Sequence, residues 1–248
     1  MATNYNPRIV TDGLVLALDA ANTKSYSGSG ATWTDLIRRN SFTLNVPSYY
    51  SYDSTSGSIS FTRTLPATAE DGGYATFSTS GDLTAANYLH NDHTTEVWFK
   101  SNDRTATNYD ATEDVSAIAV YTGFHCMWYY GPTSYTYNIW GKTAGVNNTY
   151  ALSFSDTTSG VWTQLVAVRS GTTLSLYKNG VFKTSGTITS GTEGTPSNNI
   201  IRIAAANYGG QYSWHANINF ASLRMYKKSL TAAEIQQNFN ALRGRFSI

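Results

Sequence analysis

Residues 161–184 read Val161-Trp162-Thr163-Gln164-Leu165-Val166-Ala167-Val168-Arg169-Ser170-Gly171-Thr172-Thr173-Leu174-Ser175-Leu176-Tyr177-Lys178-Asn179-Gly180-Val181-Phe182-Lys183-Thr184. Asn179-Gly180 stands between Leu176-Tyr177-Lys178 and Val181-Phe182. Asn-Gly in that setting is the strongest short-range hairpin signal, because both central residues of a type I′ turn need positive φ. Residues 161–168 and 173–177 are the strands that lead into it, rich in side chains that suit a pleated, half-buried surface.

Outward from this hairpin the same texture covers the chain: short strand-like runs punctuated by Gly, Asn, Ser and Thr, the pattern of a sandwich or barrel. Strands are expected within 8–20, where Leu14-Val15-Leu16-Ala17-Leu18-Asp19 follows Gly13, and at 58–62, 74–78, 94–100 and 115–121. Two aromatic runs, 124–130 and 135–140, are split by Gly131-Pro132 and read as neighbouring strands with a turn between. The last strands are 200–205 and 218–226, and 22–32 is a loop by composition. Val97 and Phe99 alternate with an equally apolar Trp98, so that strand is covered on both faces or lines a concave aromatic surface.

One helix closes the chain. Thr231 with Glu234 three residues on forms a capping box, and Leu230 and Ile235 stand at hydrophobic-staple positions. Ile235, Phe239 and Leu242 recur as one apolar stripe, and Gly244 is placed to end the helix in the left-handed conformation. With no internal repeat and no linker, residues 1–248 are expected to form a single all-β domain, a two-sheet antiparallel sandwich with a short C-terminal helix.

Charged residues make up 13% of the chain where roughly 25% is usual, and the net charge is +1. No basic run offers an electrostatic footprint for nucleic acid. The densest basic group, Arg224, Lys227, Lys228, Arg243 and Arg245, reads as a solvated helix end. Cys126 is alone, which excludes an intrachain disulfide framework, and reads as a small buried hydrophobe. No apolar stretch approaches the ~20 residues of a membrane span. Met1 leads directly into polar residues, so neither a signal peptide nor a stalk is expected.

Several motifs in order carry a resemblance. These are Gly13-Leu14-Val15-Leu16-Ala17-Leu18-Asp19-Ala20-Ala21-Asn22, then Ser25-Tyr26, Gly30-Ala31-Thr32-Trp33-Thr34-Asp35-Leu36 and Thr95-Glu96-Val97-Trp98-Phe99-Lys100. Trp162-Thr163-Gln164-Leu165-Val166-Ala167-Val168, Leu176-Tyr177-Lys178-Asn179-Gly180 and Leu223-Arg224-Met225-Tyr226-Lys227-Lys228-Ser229-Leu230-Thr231-Ala232-Ala233-Glu234-Ile235 follow. Together they resemble concanavalin A-like lectin/glucanase (laminin G-like) domains, in the variant common in structural proteins of tailed bacteriophages. Two departures stand out: Arg38-Arg39-Asn40 where a Ser-Gly-Asn turn is usual, and Ile218 where a Gly usually begins the last strand. The resemblance implies a jelly-roll sandwich. It further implies a virion surface protein, a capsid decoration or fibre-like component, whose partners are other virion proteins, cell-surface glycans or further copies of itself.

The same fold hosts glycosidases, which need two carboxyl groups roughly 5–10 Å apart. The Glu-x-Asp-x-Glu strand motif of the family's glucanases is absent, and the nearest strand pair is Asp92 with Glu96. A non-enzymatic protein is therefore expected, with a polysaccharide-active glycoside hydrolase as the alternative and a structural role for Glu96. Asp19, Asn22, Asp35, Asp110, Glu113 and Asp114 are oxygen donors of the kind calcium takes, and the resemblance allows such an ion at a loop rim. No spacing among them forms a continuous calcium loop, so no metal or other cofactor is expected. His90-x-x-His93 lies in polar company and reads as a solvated turn.

The candidate binding residues are aromatic. Tyr208, Gln211, Tyr212, Trp214 and His215 fall in a run read as a loop from its double Gly. Rings stack on the apolar faces of sugars, and Gln and His bond hydroxyls. The same side chains serve a protein interface equally well, or a packed corner of the sandwich. Trp128, Tyr130, Tyr137 and Trp140, with Tyr135, alternate on the central strands and form a second candidate, with core packing as the competing reading.

Overall fold

In the computed structural model, which describes residues 7–64, 72–102, 115–121, 125–130, 134–143, 146–188, 200–208, 211–213 and 215–248, the hairpin forms as expected. Asn179 and Gly180 take φ of 52° and 77°, and Lys178 pairs with Val181 across the turn. The strands are β1 (Leu14–Asp19), β2 (Thr32–Thr34), β3 (Ser41–Asn45), β4 (Tyr50–Asp53), β5 (Ser58–Phe61), β6 (Tyr74–Ser78), β7 (His93–Ser101), β8 (Val115–Tyr121) and β9 (His125–Tyr130). There follow β10 (Ser134–Thr143), β11 (Val146–Ser155), β12 (Trp162–Ser170), β13 (Thr173–Lys178), β14 (Val181–Thr187), β15 (Ile200–Ile203), β16 (Ala206–Tyr208), β17 (Gln211–Ser213) and β18 (Ile218–Tyr226). A single helical turn, α1 (Ala85–Tyr88), precedes β7, and α2 (Ala232–Leu242) follows β18. Among the described residues no helix is long and apolar enough to cross a membrane.

Two antiparallel sheets make the sandwich. One runs β14-β13-β12-β7-β18-β5-β4, with β1 also pairing β18; the other runs β11-β10-β9-β8-β15-β6-β3-β2. Their facing sides enclose Leu16, Trp33, Phe42, Phe61, Phe99, Ile203 and Phe220, all fully buried. Trp33 meets Phe220, and Phe99 meets Tyr135, both edge-on at 84°. Tyr135 is therefore core; the side chains of Trp128, Tyr130, Tyr137, Trp140 and Cys126 lie outside the described residues. In β18 the register shifts between Phe220 and Ser222, a bulge that carries both Phe220 and Leu223 to the inner face.

The outer face of the first sheet is covered too, which accounts for a β7 apolar on both sides. Trp98 stacks on Phe239 of α2 (5.8 Å) and on Phe246 (4.7 Å). The capping box starts α2 as expected, and Leu230 and Ile235 join one cluster with Val166, Val168 and Tyr226. The helix end differs from expectation. Gly244 lies inside a 3-10 turn, Arg243–Phe246, and the left-handed residue is Ser247 at φ 57°. Seating Phe246 on Trp98 and Trp162 requires the chain to keep winding past the glycine, and buried ring contact outweighs its terminating preference.

Beneath α2 lies an ionic knot. Glu96 is 1% exposed; its Oε1 accepts from Trp98 Nε1 (3.1 Å), Gln164 Nε2 (3.1 Å) and Arg224 Nη1 (3.2 Å), and its Oε2 from Asn238 Nδ2 (2.7 Å). Asn238 in turn accepts from the Val10 backbone N–H (2.7 Å). The basic residues read as one solvated cluster are thus separate. Arg224 is buried on Glu96, Lys227 pairs with Asp82, Lys228 with Asp12 and Glu234, and Arg245 with Asp19.

The turn at Arg38-Arg39-Asn40, where the resemblance implies a glycine, is left-handed at its centre. Arg39 is exposed and adopts φ 62°, a conformation that costs an L-residue roughly 1–2 kcal/mol. Arg39→Gly is expected to raise stability by about 0.5–1 kcal/mol in urea unfolding, the gain being partly offset by glycine's freer unfolded chain. Glu96→Gln leaves the Arg224 guanidinium buried without a counter-charge and is expected to cost about 3–5 kcal/mol in the same measurement.

Candidate functional site

Leu83, Tyr88 and Leu89 are buried in the main core and anchor the segment that enters β7. The Tyr88 hydroxyl donates to the Thr94 carbonyl (2.6 Å), and its ring lies over His93 (4.7 Å). Since Arg169 is the register partner of His93, and Tyr226 of Thr94, three chain segments emerge at one end of β12, β7 and β18. They are the turn after α1, Gly171-Thr172, and Lys227. Between them opens a cleft of about 590 Å³ lined by Asn87, His90, Asn91, Asp92, Arg169, Gly171, Thr172 and Lys227.

Hydrogen bonds hold the walls together. Asp92 Oδ1 accepts from Gly171 N (2.7 Å), while Arg169 donates through Nη1 to Leu89 O (2.7 Å) and through Nε to Gly171 O (3.0 Å). Asn91 Nδ2 donates to Asn87 O (3.3 Å), and Asn87 Nδ2 to Gly81 O (2.9 Å). Lys227 Nζ bonds Asp82 Oδ1 (3.2 Å), and Arg38 holds the other oxygen of Asp82; the Arg38 bond is the main reason that carboxyl titrates below its usual range. His90 Nε2 is enclosed without a hydrogen-bond partner. Among the described lining residues Asp92 is the one acid. The cleft can bind through hydrogen bonds, but its described lining does not bring together the two carboxyl groups of glycoside hydrolysis.

The sequence-predicted sites fare unevenly. Residues 206–208 and 211–213 are not open loop: β16 and β17 pair antiparallel, with Asn207 opposite Tyr212 and Tyr208 opposite Gln211. His215 is fully buried beside Tyr74, and a Cβ on Gly72 would fall 2.5 Å from its ring; it packs the interior and presents nothing to a ligand. Trp214 and the side chains of Tyr208, Gln211 and Tyr212 lie outside the described residues.

His93 is likewise no solvated residue. It is fully buried, and one ring nitrogen meets the Asn91 carbonyl at 2.9 Å, so that nitrogen carries the proton. Glu96, its neighbour in sequence, is sealed under α2. Of the calcium candidates, Asp35 accepts backbone N–H groups of Ala17, Ile37 and Arg38, Asp19 binds Ala21 N and Arg245, and Asn22 caps Lys24 N. Asp110, Glu113 and Asp114 lie outside the described residues, among which no three His, Cys, Asp or Glu side chains gather to hold a metal.

Asn87, Asn91, Arg169 and Thr172 were not legible as site residues in the sequence. The polar stretch His90-Asn91-Asp92 was visible as a signal, but Arg169, Gly171 and Thr172 on the wall opposite lie about eighty positions further on.

Comparison with known proteins agrees with the architecture. A family model described as the concanavalin A-like lectin/glucanases superfamily matches residues 69–236. No curated protein matches the sequence. Among solved structures, the binding domain of botulinum neurotoxin DC in complex with rat synaptotagmin II superposes with a TM-score of 0.66 at 10% identity, over 93% of this chain and 52% of that one. The same toxin's binding domain in complex with SialylT gives 0.65 at 10% identity, over 93% and 52%. A structure of botulinum neurotoxin type C, whose cell entry is dependent upon interaction with two ganglioside molecules, gives 0.66 at 10%, over 93% and 51%. The chain spans about half the length of each.

Burial depresses the His93 pKa from 6.5 to about 4, with the nearby Arg169 charge acting the same way and the Asn91 bond opposing. Between those two values the unfolded chain binds the proton and the folded one does not. The stability from a neutral His93 is therefore complete above about pH 6.5 and is lost as pH falls towards 4, by up to about 3 kcal/mol. Urea unfolding of wild type and His93→Gln across pH 4–7 is expected to give curves whose difference narrows by that amount on acidification.

Proposed function

The chain belongs to the concanavalin A-like lectin/glucanase superfamily, and on that footing we propose that it is a non-enzymatic glycan-adhesion protein of a virion surface, a capsid decoration or fibre-like component. The observation that carries the binding half of this reading is the rim cleft: amide, carboxylate, hydroxyl and backbone groups converge in it, with Asp92 as the one acid among its described lining. Glu96, the strand acid most exposed to suspicion as a catalyst, has its oxygens engaged by four buried donors, which speaks against the alternative of a glycoside hydrolase. Similar solved structures include a toxin whose cell entry depends upon two ganglioside molecules and a binding domain in complex with synaptotagmin II, which makes surface recognition a natural use of such a sandwich. The virion setting rests on the ordered motifs from Gly13 to Ile235, and with it the expectation of one folded unit and of virion proteins as partners.

A second contact surface is supported by one observation: β16 and β17 form a two-stranded sheet separate from both main sheets. Such a ribbon, carrying Tyr208 and Tyr212, suits attachment to a particle or to another copy of the chain.

The test pairs retention with turnover. Immobilised glycans are expected to retain the protein, while a panel of algal and bacterial polysaccharides incubated with it releases no reducing ends. Measurable release would favour the hydrolase. Antibody labelling of intact particles is expected to find the chain on the outer surface, and particles free of it would remove the virion role.

A further inference from the structure

The polarity of the cleft bears on which glycan it accepts, a question that rests on the glycan-binding reading above. The Asn87 amide must point its NH2 at the Gly81 carbonyl, since a carbonyl can only accept; its oxygen is left for a ligand. Asp92 has one oxygen fixed by Gly171 N, and the carboxylate is exposed, so its second oxygen is also an open acceptor. The positive groups are already engaged. Arg169 is 8% exposed and spends two of its nitrogens on the Leu89 and Gly171 carbonyls. Lys227 is paired with Asp82.

We infer that the cleft takes a neutral, hydroxyl-rich sugar, whose hydroxyls donate to Asp92 and Asn87, and that it discriminates against sialylated, uronate-bearing and sulfated glycans. A hydroxyl both donates and accepts, so it can satisfy these oxygens and the Thr172 hydroxyl together. A carboxylate or sulfate only accepts. It would meet the Asp92 and Asn87 oxygens acceptor to acceptor with no hydrogen to share, while Arg169 and Lys227 are already bonded to Leu89, Gly171 and Asp82, and that mismatch is the source of the discrimination.

An array carrying neutral oligosaccharides beside their sialylated, uronate and sulfated counterparts tests this with the intact chain. Wild type is expected to bind neutral members and to bind acidic counterparts at least tenfold more weakly. Asp92→Asn keeps an oxygen for Gly171 N while turning the open acceptor into a donor, and is expected to lose at least tenfold in neutral-sugar binding with an unchanged melting temperature. Thr172→Val, an exposed change outside the wall-to-wall bonds, is expected to weaken binding severalfold and guards against an Asp92 variant that fails to fold. Preference for acidic glycans would overturn the inference and leave glycan adhesion standing. So would neutral binding indifferent to both variants, because the site would then lie elsewhere. Silence on every glycan would overturn the adhesion reading and this inference with it.

Discussion

A charged carboxylate and a guanidinium taken out of water beneath a short helix constrain much of this molecule. Desolvating Glu96 and Arg224 costs several kcal/mol per ion, and the attraction between them offsets that only when the remaining hydrogen-bonding capacity is filled. Trp98, Gln164 and Asn238 fill it on the Glu96 side. Those partners come from β7 itself, β12 and α2, and Arg224 comes from β18. Val10 is drawn in through Asn238 and through the Tyr226 hydroxyl. The helix cannot leave without exposing an incompletely satisfied ion pair, so its position is specified more sharply than an apolar stripe would achieve.

This arrangement settles how one sheet is used. With α2 and the 3-10 turn over the outer faces of β7, β12 and β18, the aromatic surface around Trp98 is interior, closed by Phe239 and Phe246. The rim where the same three strands end stays open, because the chain there turns through polar segments. The buried residues of the entering segment, Tyr88 and Leu89, set the geometry of that rim, and His93 beneath it is held neutral by the same burial.

A similar logic runs through the acids. Asp35 is fully buried and satisfied by backbone N–H groups of a turn, Asp19 ties the C-terminal Arg245 to the first strand, and Asp82 gathers Arg38 and Lys227. Each has an oxygen occupied by donors of the fold. A chain with so few charges spends most of those described here on fastening loops, and Asp92, which fastens Gly171, keeps its second oxygen open at the cleft.

What the sequence determined by itself was local. Asn179-Gly180 specified its turn because positive φ at both positions is a property of those residues, and the Thr231–Glu234 box began its helix because both halves lie within four positions. Short strand-like runs punctuated by Gly, Asn, Ser and Thr located β6, β8 and β18 at their observed bounds, and Glu96 was read as structural. Gly244, the polar turn at His93 and the loop reading of 207–215 failed where a tertiary contact overrode a local preference. Phe246 needed Trp98, His93 and His215 were buried by strands distant in sequence, and β16 needed β17 across the double glycine. The cleft was decided wholly by tertiary structure. Asp92 meets Gly171 only because β7 and β12 pair antiparallel in one register, and that pairing depends on the burial of two sheets against each other, not on any short run of residues.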